Sequence, residues 1–355
     1  SGIAGMGAAW LLAQAHDVTL FEANPVVGGH SRTLITPQGV PVDTGFIVYN
    51  EATYPNLVAL FKHLDVPTRD SDMSFAVSLD DGRLEYSGSG LLGLFAQGGN
   101  LISSRFWRML RDLERFYREA PRSVANIGTM TLDQYLAGAG FGEAFRDDHL
   151  YPMAAAIWST PAAKIGDYPA ASFIRFCETH GLLKILDRPI WRTVAGGSRA
   201  YVRALVDSIP EVVRDYPIRK IVRTSRGVEL VGPDGHRRFF DRVVVATHAD
   251  TALELLADPS PEERRLLGAF DYTVNDAVLH SDGRLMPQRR RLWSSWNYLS
   301  REGDQGRRLA VTYWMNRLQG IESDRPLLVT LNPHREIAPG TVLKRMSYTH
   351  PVFDA

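Results

Sequence analysis

The apolar pattern of this chain opens with a helix-like run, Met6-Gly7-Ala8-Ala9-Trp10-Leu11-Leu12, followed at residues 17–22 by a short apolar strand that closes on the acid Glu22. Residues 39–48 read as a strand broken by Gly45. Helical periodicity returns over residues 54–64, with Pro55 near the first turn. Residues 73–79, the turn Asp80-Asp81-Gly82 and residues 83–86 form a hairpin pattern. An apolar loop, Leu91-Leu92-Gly93-Leu94-Phe95, continues through Leu101-Ile102 into a helix. That helix carries Phe106, Met109, Leu110, Leu113, Phe116 and Tyr117 on one side, and Arg105, Arg108, Arg111, Arg115 and Arg118 elsewhere. Thr131 is placed to cap a further helix. The apolar, aromatic run 151–161 suits the floor of a pocket and equally a plain core.

Beyond residue 215 the pattern turns to strands. Residues 216–223, 227–231 and 237–240 make a meander around the turn Gly232-Pro233-Asp234-Gly235. Residues 241–248 form an apolar strand ending in small and polar side chains. Four more strands, at 271–280, 292–299, 308–314 and 325–331, carry Trp293, Trp296, Tyr298, Tyr313 and Trp314. The alternation of facing directs some of these rings into a pocket and others into the opposite core.

Composition narrows the class. The chain of 355 residues has room for two cores, and its 45% apolar and 23% charged content is that of an ordinary globular protein. Forty basic residues balance forty acidic ones, so no global field attracts nucleic acid. The single cysteine, Cys177, sits in an apolar run as a buried inert thiol, and no cysteine or histidine spacing suggests a metal. This fits a reducing, cytoplasmic setting. No apolar run reaches the roughly 18 to 20 residues that span a bilayer, and no signal peptide is visible.

The candidate chemistry begins at the first residues. Gly2 and Gly5, within Ser1-Gly2-Ile3-Ala4-Gly5, have the spacing of the last two glycines of GxGxxG. Gly2 allows backbone approach to a pyrophosphate, Gly5 allows helix and strand to pack closely, and the helix N-terminus presents N–H groups and a positive dipole end. Glu22, twenty residues after Gly2, is placed to bond a ribose hydroxyl, with Ala23 beside it. The chain opens inside the motif, so the expectation is that a first glycine and a strand precede Ser1 in the natural protein. A second glycine turn, Gly28-Gly29, is followed by His30, Arg32 and Thr33.

This continuation resembles the GG-motif flavoproteins, the superfamily of amine oxidases and phytoene desaturases. Asp43-Thr44-Gly45-Phe46, Ala195-Gly196-Gly197 and Val245-Ala246-Thr247-His248-Ala249-Asp250 extend the resemblance over most of the chain. It implies an α/β fold, a discontinuous Rossmann-like FAD-binding domain with an inserted α+β substrate domain. The implied domain boundaries are 1–70 and 191–260 for the FAD domain, and 71–190 and 261–355 for the substrate domain. FAD is the implied cofactor, held by Ser1, Gly2, Ala4, Gly5, Glu22, Ala23, Gly28, Gly29, His30, Arg32 and Thr33. Thr44, Gly45 and Phe46 would pass the flavin, Ile218 would meet the adenine, and Ala246 and Thr247 would lie at the strand end beneath the cofactor. The family's closing C-terminal segment is not seen before residue 355. The chain is therefore expected to be a piece of a longer protein or a form that binds FAD poorly.

Leu292-Trp293-Ser294-Ser295-Trp296-Asn297-Tyr298, Val311-Thr312-Tyr313-Trp314-Met315-Asn316-Arg317-Leu318-Gln319 and Val329-Thr330-Leu331-Asn332-Pro333 are similar to a narrower bacterial subfamily of NAD/FAD-binding, amine-oxidase-like proteins. That subfamily is associated with cyclopropane-fatty-acid-synthase-like methyltransferases and with furan fatty acid synthesis. The resemblance implies oxidation or desaturation of a methylated fatty acyl chain of a lipid, with a methyltransferase as a partner. Hydride transfer itself needs no acid or base; for the accompanying proton loss His248, His30 and Tyr298 are the candidates. Residues 91–118, a basic amphipathic helix beside an apolar loop, suit peripheral contact with the inner face of a membrane, and equally an ordinary helix packed on its own core. Two other functions stay open: oxidation of a soluble amine, and a flavin-free partner of a lipid-modifying enzyme.

Overall fold

The computed structural model describes residues 1–158, 162–184, 187–301 and 308–352, so residues 159–161 of the apolar run at 151–161 lie outside the described residues. The fold is mixed α/β and divides into two compact units. The first comprises Ser1–Ile47, Asn56–Thr68 and Val194–Tyr272; the second comprises Val48–Pro55, Arg69–Thr193 and Thr273–Ala355.

In the first unit the alanine-rich run forms the helix Ile3–Leu12, and the apolar strand Thr19–Phe21 pairs in parallel with Glu211–Val213. Glu22 extends this ladder, its N–H donating to the Val213 carbonyl at 2.8 Å. Thr33–Ile35 and Pro41–Asp43 form an antiparallel hairpin. The ladder continues past it, since the Thr44 N–H donates to the Arg32 carbonyl and the Phe46 N–H to the His30 carbonyl, at 2.9 and 2.8 Å. The helix Arg199–Val206 buries Tyr201, Val202 and Leu205, and the Tyr201 ring lies 4.9 Å from that of Phe61. The expected meander is present as Lys220–Arg223, Val228–Val231 and Arg237–Phe240.

One expected strand is absent. Residues 243–247 have no ladder partner among the described residues, and Val243, Val244 and Val245 are exposed. A valine run has strand propensity wherever it occurs, but a strand needs a neighbour to take its backbone groups, and none of the described strands pairs with this one.

The second unit is built on a seven-stranded sheet. Its order is Val342–Pro351, Tyr272–His280, Leu328–Leu331, Arg308–Trp314, Trp296–Arg301, Phe75–Leu79 and Leu84–Ser87. The Phe75–Leu79 and Leu84–Ser87 hairpin joins the later strands through a parallel pairing with Trp296–Arg301, Val77 opposite Tyr298. A helical layer comprises Ser104–Ile127, Leu132–Gly138, Tyr151–Trp158 and Ala170–Thr179, with Phe116, Leu132, Phe145, Leu150, Phe173 and Ile174 in its core. Thr131 caps its helix as expected, its hydroxyl accepting from the Gln134 N–H in a reciprocal capping box. Cys177 is fully buried in this core, and burial pushes its thiol far up, which leaves it inert.

The helix Ser104–Ile127 places Phe106, Met109 and Phe116 in the interior, as its periodicity predicts. Asp112, one of the helix's charged positions, is buried with them. Its carboxylate is occupied by Arg111 at 3.2 Å and by the Gly142 N–H at 3.0 Å.

Candidate functional site

Segments far apart in sequence meet at the N-terminus of the helix Ile3–Leu12 in the first unit. Gly2 is the N-cap and supplies no side-chain cap, so among the described residues the first-turn N–H groups receive no capping bond. A Cβ on Gly2 would meet nothing within 4 Å, which leaves the approach to those donors open. The second glycine turn closes against this point. The Gly28 N–H donates to the Ser1 carbonyl at 3.1 Å, and a Cβ on Gly29 would stand 3.1 Å from the Gly2 Cα. Gly28 and Gly29 both take positive φ, at 117° and 54°, the region that favours glycine. On the far side of the helix start, a Cβ on Gly5 would lie 3.2 Å from Ala246 Cβ, so the helix and residues 243–247 pack closely at Gly5.

Glu22 completes the cluster. Its carboxylate accepts from the Ser1 hydroxyl at 2.5 Å and the Asn24 N–H at 2.9 Å. Burial pushes its carboxyl up, and the hydrogen bonds from the Ser1 hydroxyl and the Asn24 N–H pull it below its ordinary value, which leaves an ionised acceptor. Ile218 is half-buried and follows Tyr216, whose N–H donates to the Glu22 carbonyl at 3.0 Å. Ala4, Ala23 and Thr247 are exposed, and Arg32 is half-buried.

Thr33 is engaged within the fold. Its hydroxyl donates to Asp43 Oδ1 at 2.6 Å and accepts from the Arg199 N–H at 2.9 Å. Asp43 also accepts from the Ser198 N–H at 2.9 Å and the Ser198 hydroxyl at 2.9 Å, which ties the hairpin to the glycine turn at 196–197. Burial pushes the Asp43 carboxyl up, and despite those hydrogen bonds it reaches about 6. Gly197 takes φ of 88°, and a Cβ there would strike Thr33 at 2.7 Å. The sequence motifs give Thr33 as a cofactor contact and Asp43 only as part of a pattern, and they do not point to Ser198 or to Tyr201, whose hydroxyl donates to Ser31 at 2.6 Å. Only the Asp-x-Gly pattern hinted at Asp43.

Two of the three proton-transfer candidates come together. The rings of His30 and His248 are 6.1 Å apart, and His248 stacks on Tyr272 at 4.7 Å. Burial and the neighbouring His248 push His30 below its ordinary value, favouring the neutral base. Tyr298 belongs to the second unit, where its side chain is buried in the sheet between Val77 and Val311.

An uncapped helix start facing paired glycines, with an ionised acid held at the adjoining strand end, is the arrangement of a dinucleotide-binding α/β protein. Residues 3–288 match the flavin containing amine oxidoreductases; the chain belongs to this family, and its cofactor is FAD. Solved structures share the fold at low identity. A putrescine oxidase variant is 15% identical with a TM-score of 0.67, covering 93% of this chain and 73% of that one. A CLA-producing fatty acid isomerase from P. acnes is also 15% identical with a TM-score of 0.67, covering 99% and 85%. Cyclohexylamine oxidase from Brevibacterium oxydans is 16% identical with a TM-score of 0.60, covering 93% and 72%. No curated protein matches the chain.

The residues present fit FAD, because Gly2 and Gly29 leave the backbone bare where side chains would otherwise fill the cradle. Glu22→Gln is expected to raise the Kd for FAD about 10- to 100-fold, the weight of a hydrogen bond to a charged acceptor. Flavin fluorescence on titration measures this; an unchanged Kd would show that Glu22 does not touch the cofactor.

Proposed function

We propose that this flavin-dependent oxidoreductase oxidises or desaturates a fatty acyl chain, methylated in the subfamily it resembles, rather than a soluble amine. When bound, FAD supplies the hydride acceptor. In this reading the first-turn N–H groups at Gly2 to Gly5 hold the pyrophosphate, Glu22 the ribose, and Ile218 the adenine. As hydride leaves one carbon, His30, kept neutral by burial and by His248, would take the proton from the neighbouring carbon, whose C–H electron pair becomes the new double bond.

The observation that favours an acyl chain is the commitment of the second unit's buried acids. Among the described residues, Glu85, Asp112, Asp148 and Asp282 are its buried carboxylates, and each is ion-paired with an arginine: Arg289, Arg111, Arg105 and Arg284. None is left to balance a substrate ammonium, and an acyl chain requires none. The fold likeness to a fatty acid isomerase supports this reading, and the likeness to putrescine and cyclohexylamine oxidases supports its rival. One observation keeps the rival alive: the edge-to-face pair Trp296 and Tyr313, 4.8 Å apart, offers rings to a cation. The flavin-free alternative does not survive the family assignment. A methyltransferase that supplies the methylated acyl chain is the partner this reading calls for.

Anaerobic mixing of the FAD-loaded protein with methylated acyl phospholipids, and separately with putrescine and cyclohexylamine, tests the proposal. Flavin bleaching by the lipid alone is the expected result. Bleaching by an amine and not by the lipid would overturn it.

A further inference from the structure

Residues 86–111 of the second unit contain three arginines and no acid, and no charge at all precedes Arg105. Within this stretch two short helical turns, Leu91–Leu94 and Gly98–Ile102, lead into the helix Ser104–Ile127. Leu91 is 73% exposed, Leu92 90%, Leu101 54%, Ile102 90% and Trp107 50%. So dense a group of exposed apolar side chains marks an interaction surface.

The group is held in place. The buried Asn100 amide donates to the carbonyls of Glu85 and Leu94 at 3.0 and 3.1 Å, and Ser103 caps the helix by accepting from the Phe106 N–H. The Trp107 indole N–H donates to the Leu101 carbonyl at 2.9 Å, and its ring packs on Phe95 at 5.4 Å. A Cβ on Gly93 would strike Ser87, which seats the first turn tightly. The exposed side chains are thus presented by a fixed scaffold.

The structure also changes where a membrane would be met. The apolar face of the helix, with Phe106, Met109 and Phe116, is buried in the unit's own core and is not available to lipid. Arg105 is engaged with the buried carboxylate of Asp148. Arg108 has no ion-pair partner among the described residues, and Arg111, largely exposed, reaches only the neighbouring Asp112. Apolar tips beside an unneutralised guanidinium, with a tryptophan between them, match the layering of a bilayer interface carrying anionic headgroups.

We propose that Leu91, Leu92, Leu101 and Ile102 insert into the surface of an anionic bilayer, with Trp107 at the interface and Arg108 on the headgroups. This goes beyond the substrate assignment and does not depend on it. Flotation of the FAD-loaded chain with phosphatidylcholine vesicles, with and without phosphatidylglycerol, tests it. The chain is expected to float with the phosphatidylglycerol vesicles. L92D/I102D is expected to lower that partition by about tenfold or more. R108E is expected to weaken binding to the anionic vesicles alone. Both variants change exposed side chains, so flavin content and Tm should stay at the parent values and exclude misfolding.

Absence of the parent chain from floated vesicles, or equal flotation of L92D/I102D, would overturn the proposal. So would sedimentation showing that the parent self-associates without binding vesicles and that L92D/I102D is monomeric, which would make the patch a contact between copies. Failure here with flavin bleaching by acyl lipid intact would remove this surface and leave the substrate reading standing.

Discussion

Gly45→Ala is expected to purify with about a tenth or less of the parent's flavin and with a clearly lowered Tm. A Cβ at this position would lie 2.1 Å from the His30 carbonyl oxygen and 3.0 Å from its carbon. These are backbone atoms that cannot rotate aside. Relief requires the two segments to separate, which opens the bond from the Phe46 N–H to the His30 carbonyl and strains that from the Thr44 N–H to the Arg32 carbonyl. The cost is on the order of 3 kcal/mol, the upper end for forcing extra volume into a packed site. It falls on the residues the FAD reading depends upon, since His30 and Arg32 lie on one segment and Thr44 and Phe46 on the other. Gly7→Ala is the control. It sits inside the helix Ile3–Leu12 with nothing beyond the helix's own backbone and its chain neighbours within 4 Å of the added carbon, and alanine there is favoured by up to about 1 kcal/mol. The ratio of flavin to protein absorbance, with Tm, reads both variants. Full flavin and an unshifted Tm in Gly45→Ala would mean that the close approach at His30 does not shape the cofactor site.

The role of Gly45 also shows where sequence reading stops. The need for a glycine was legible from Asp43-Thr44-Gly45, but the close approach it permits is to His30, which lies on the other strand of the ladder. The cradle at Gly2, Glu22 and Gly28 was legible because spacing and turn chemistry act over a few tens of residues and need no knowledge of the rest of the fold. The hairpin Phe75–Leu79 and Leu84–Ser87 was legible for the same reason.

Features made by distant partners were not. Asp112 reads as a surface acid until Gly142, thirty residues on, donates to it, and Arg105 reads as a solvated charge until Asp148 takes it. Residues 243–247 have the composition of a buried strand, and composition does not say whether a neighbour will supply the ladder. The strand Val342–Pro351 was missed for the opposite reason. It lies at the sheet edge and carries Lys344 and Arg345, charges that protect an edge from further pairing and hide its apolar alternation.

The second unit is expected to lose stability steeply as pH falls from 6.5 to 4, while the first does not follow it. Three histidines of the second unit are buried. Burial, reinforced by Arg188, pushes His149 down from 6.5 to about 4. Burial acts on His280 with a smaller opposing pull from Asp282, and on His334 together with Arg335, and both also come to about 4. The surroundings explain the direction. His149 Nε2 and His334 Nδ1 have no hydrogen-bond partner among the described residues, and His280 Nδ1 already accepts from the Asp282 N–H at 3.0 Å, so an added proton there would displace a bond. The folded form of each binds its proton more weakly than the unfolded chain does. Its stability contribution is therefore complete above 6.5 and is lost as pH falls through about 4, roughly 2–3 kcal/mol per histidine.

Asp43 in the first unit has the opposite sign. Its carboxyl is raised from 3.8 to about 6, so the fold holds that proton more tightly, and its contribution is present at low pH and lost as pH rises through 6. Between pH 6 and 4 the first unit's gain from Asp43 opposes the loss from His30, whose value burial also lowers, while the second unit loses from three histidines. Of the depressed acids, Glu22, ordinarily at 4.5, begins to act only at the acid end of this window, and Asp282, ordinarily at 3.8, acts below it. Hydrogen exchange resolved by peptide, corrected for intrinsic rates, separates the two responses. His149→Phe keeps a ring stacked on Phe145, leaves the Tyr86 hydroxyl its bond to the Asp148 carbonyl, and removes one proton from the balance. It is expected to flatten the second unit's acid slope by up to about 1.4 kcal/mol per pH unit. A slope unchanged in His149→Phe, or one common pH dependence for both units, would show that the buried histidines do not govern acid unfolding.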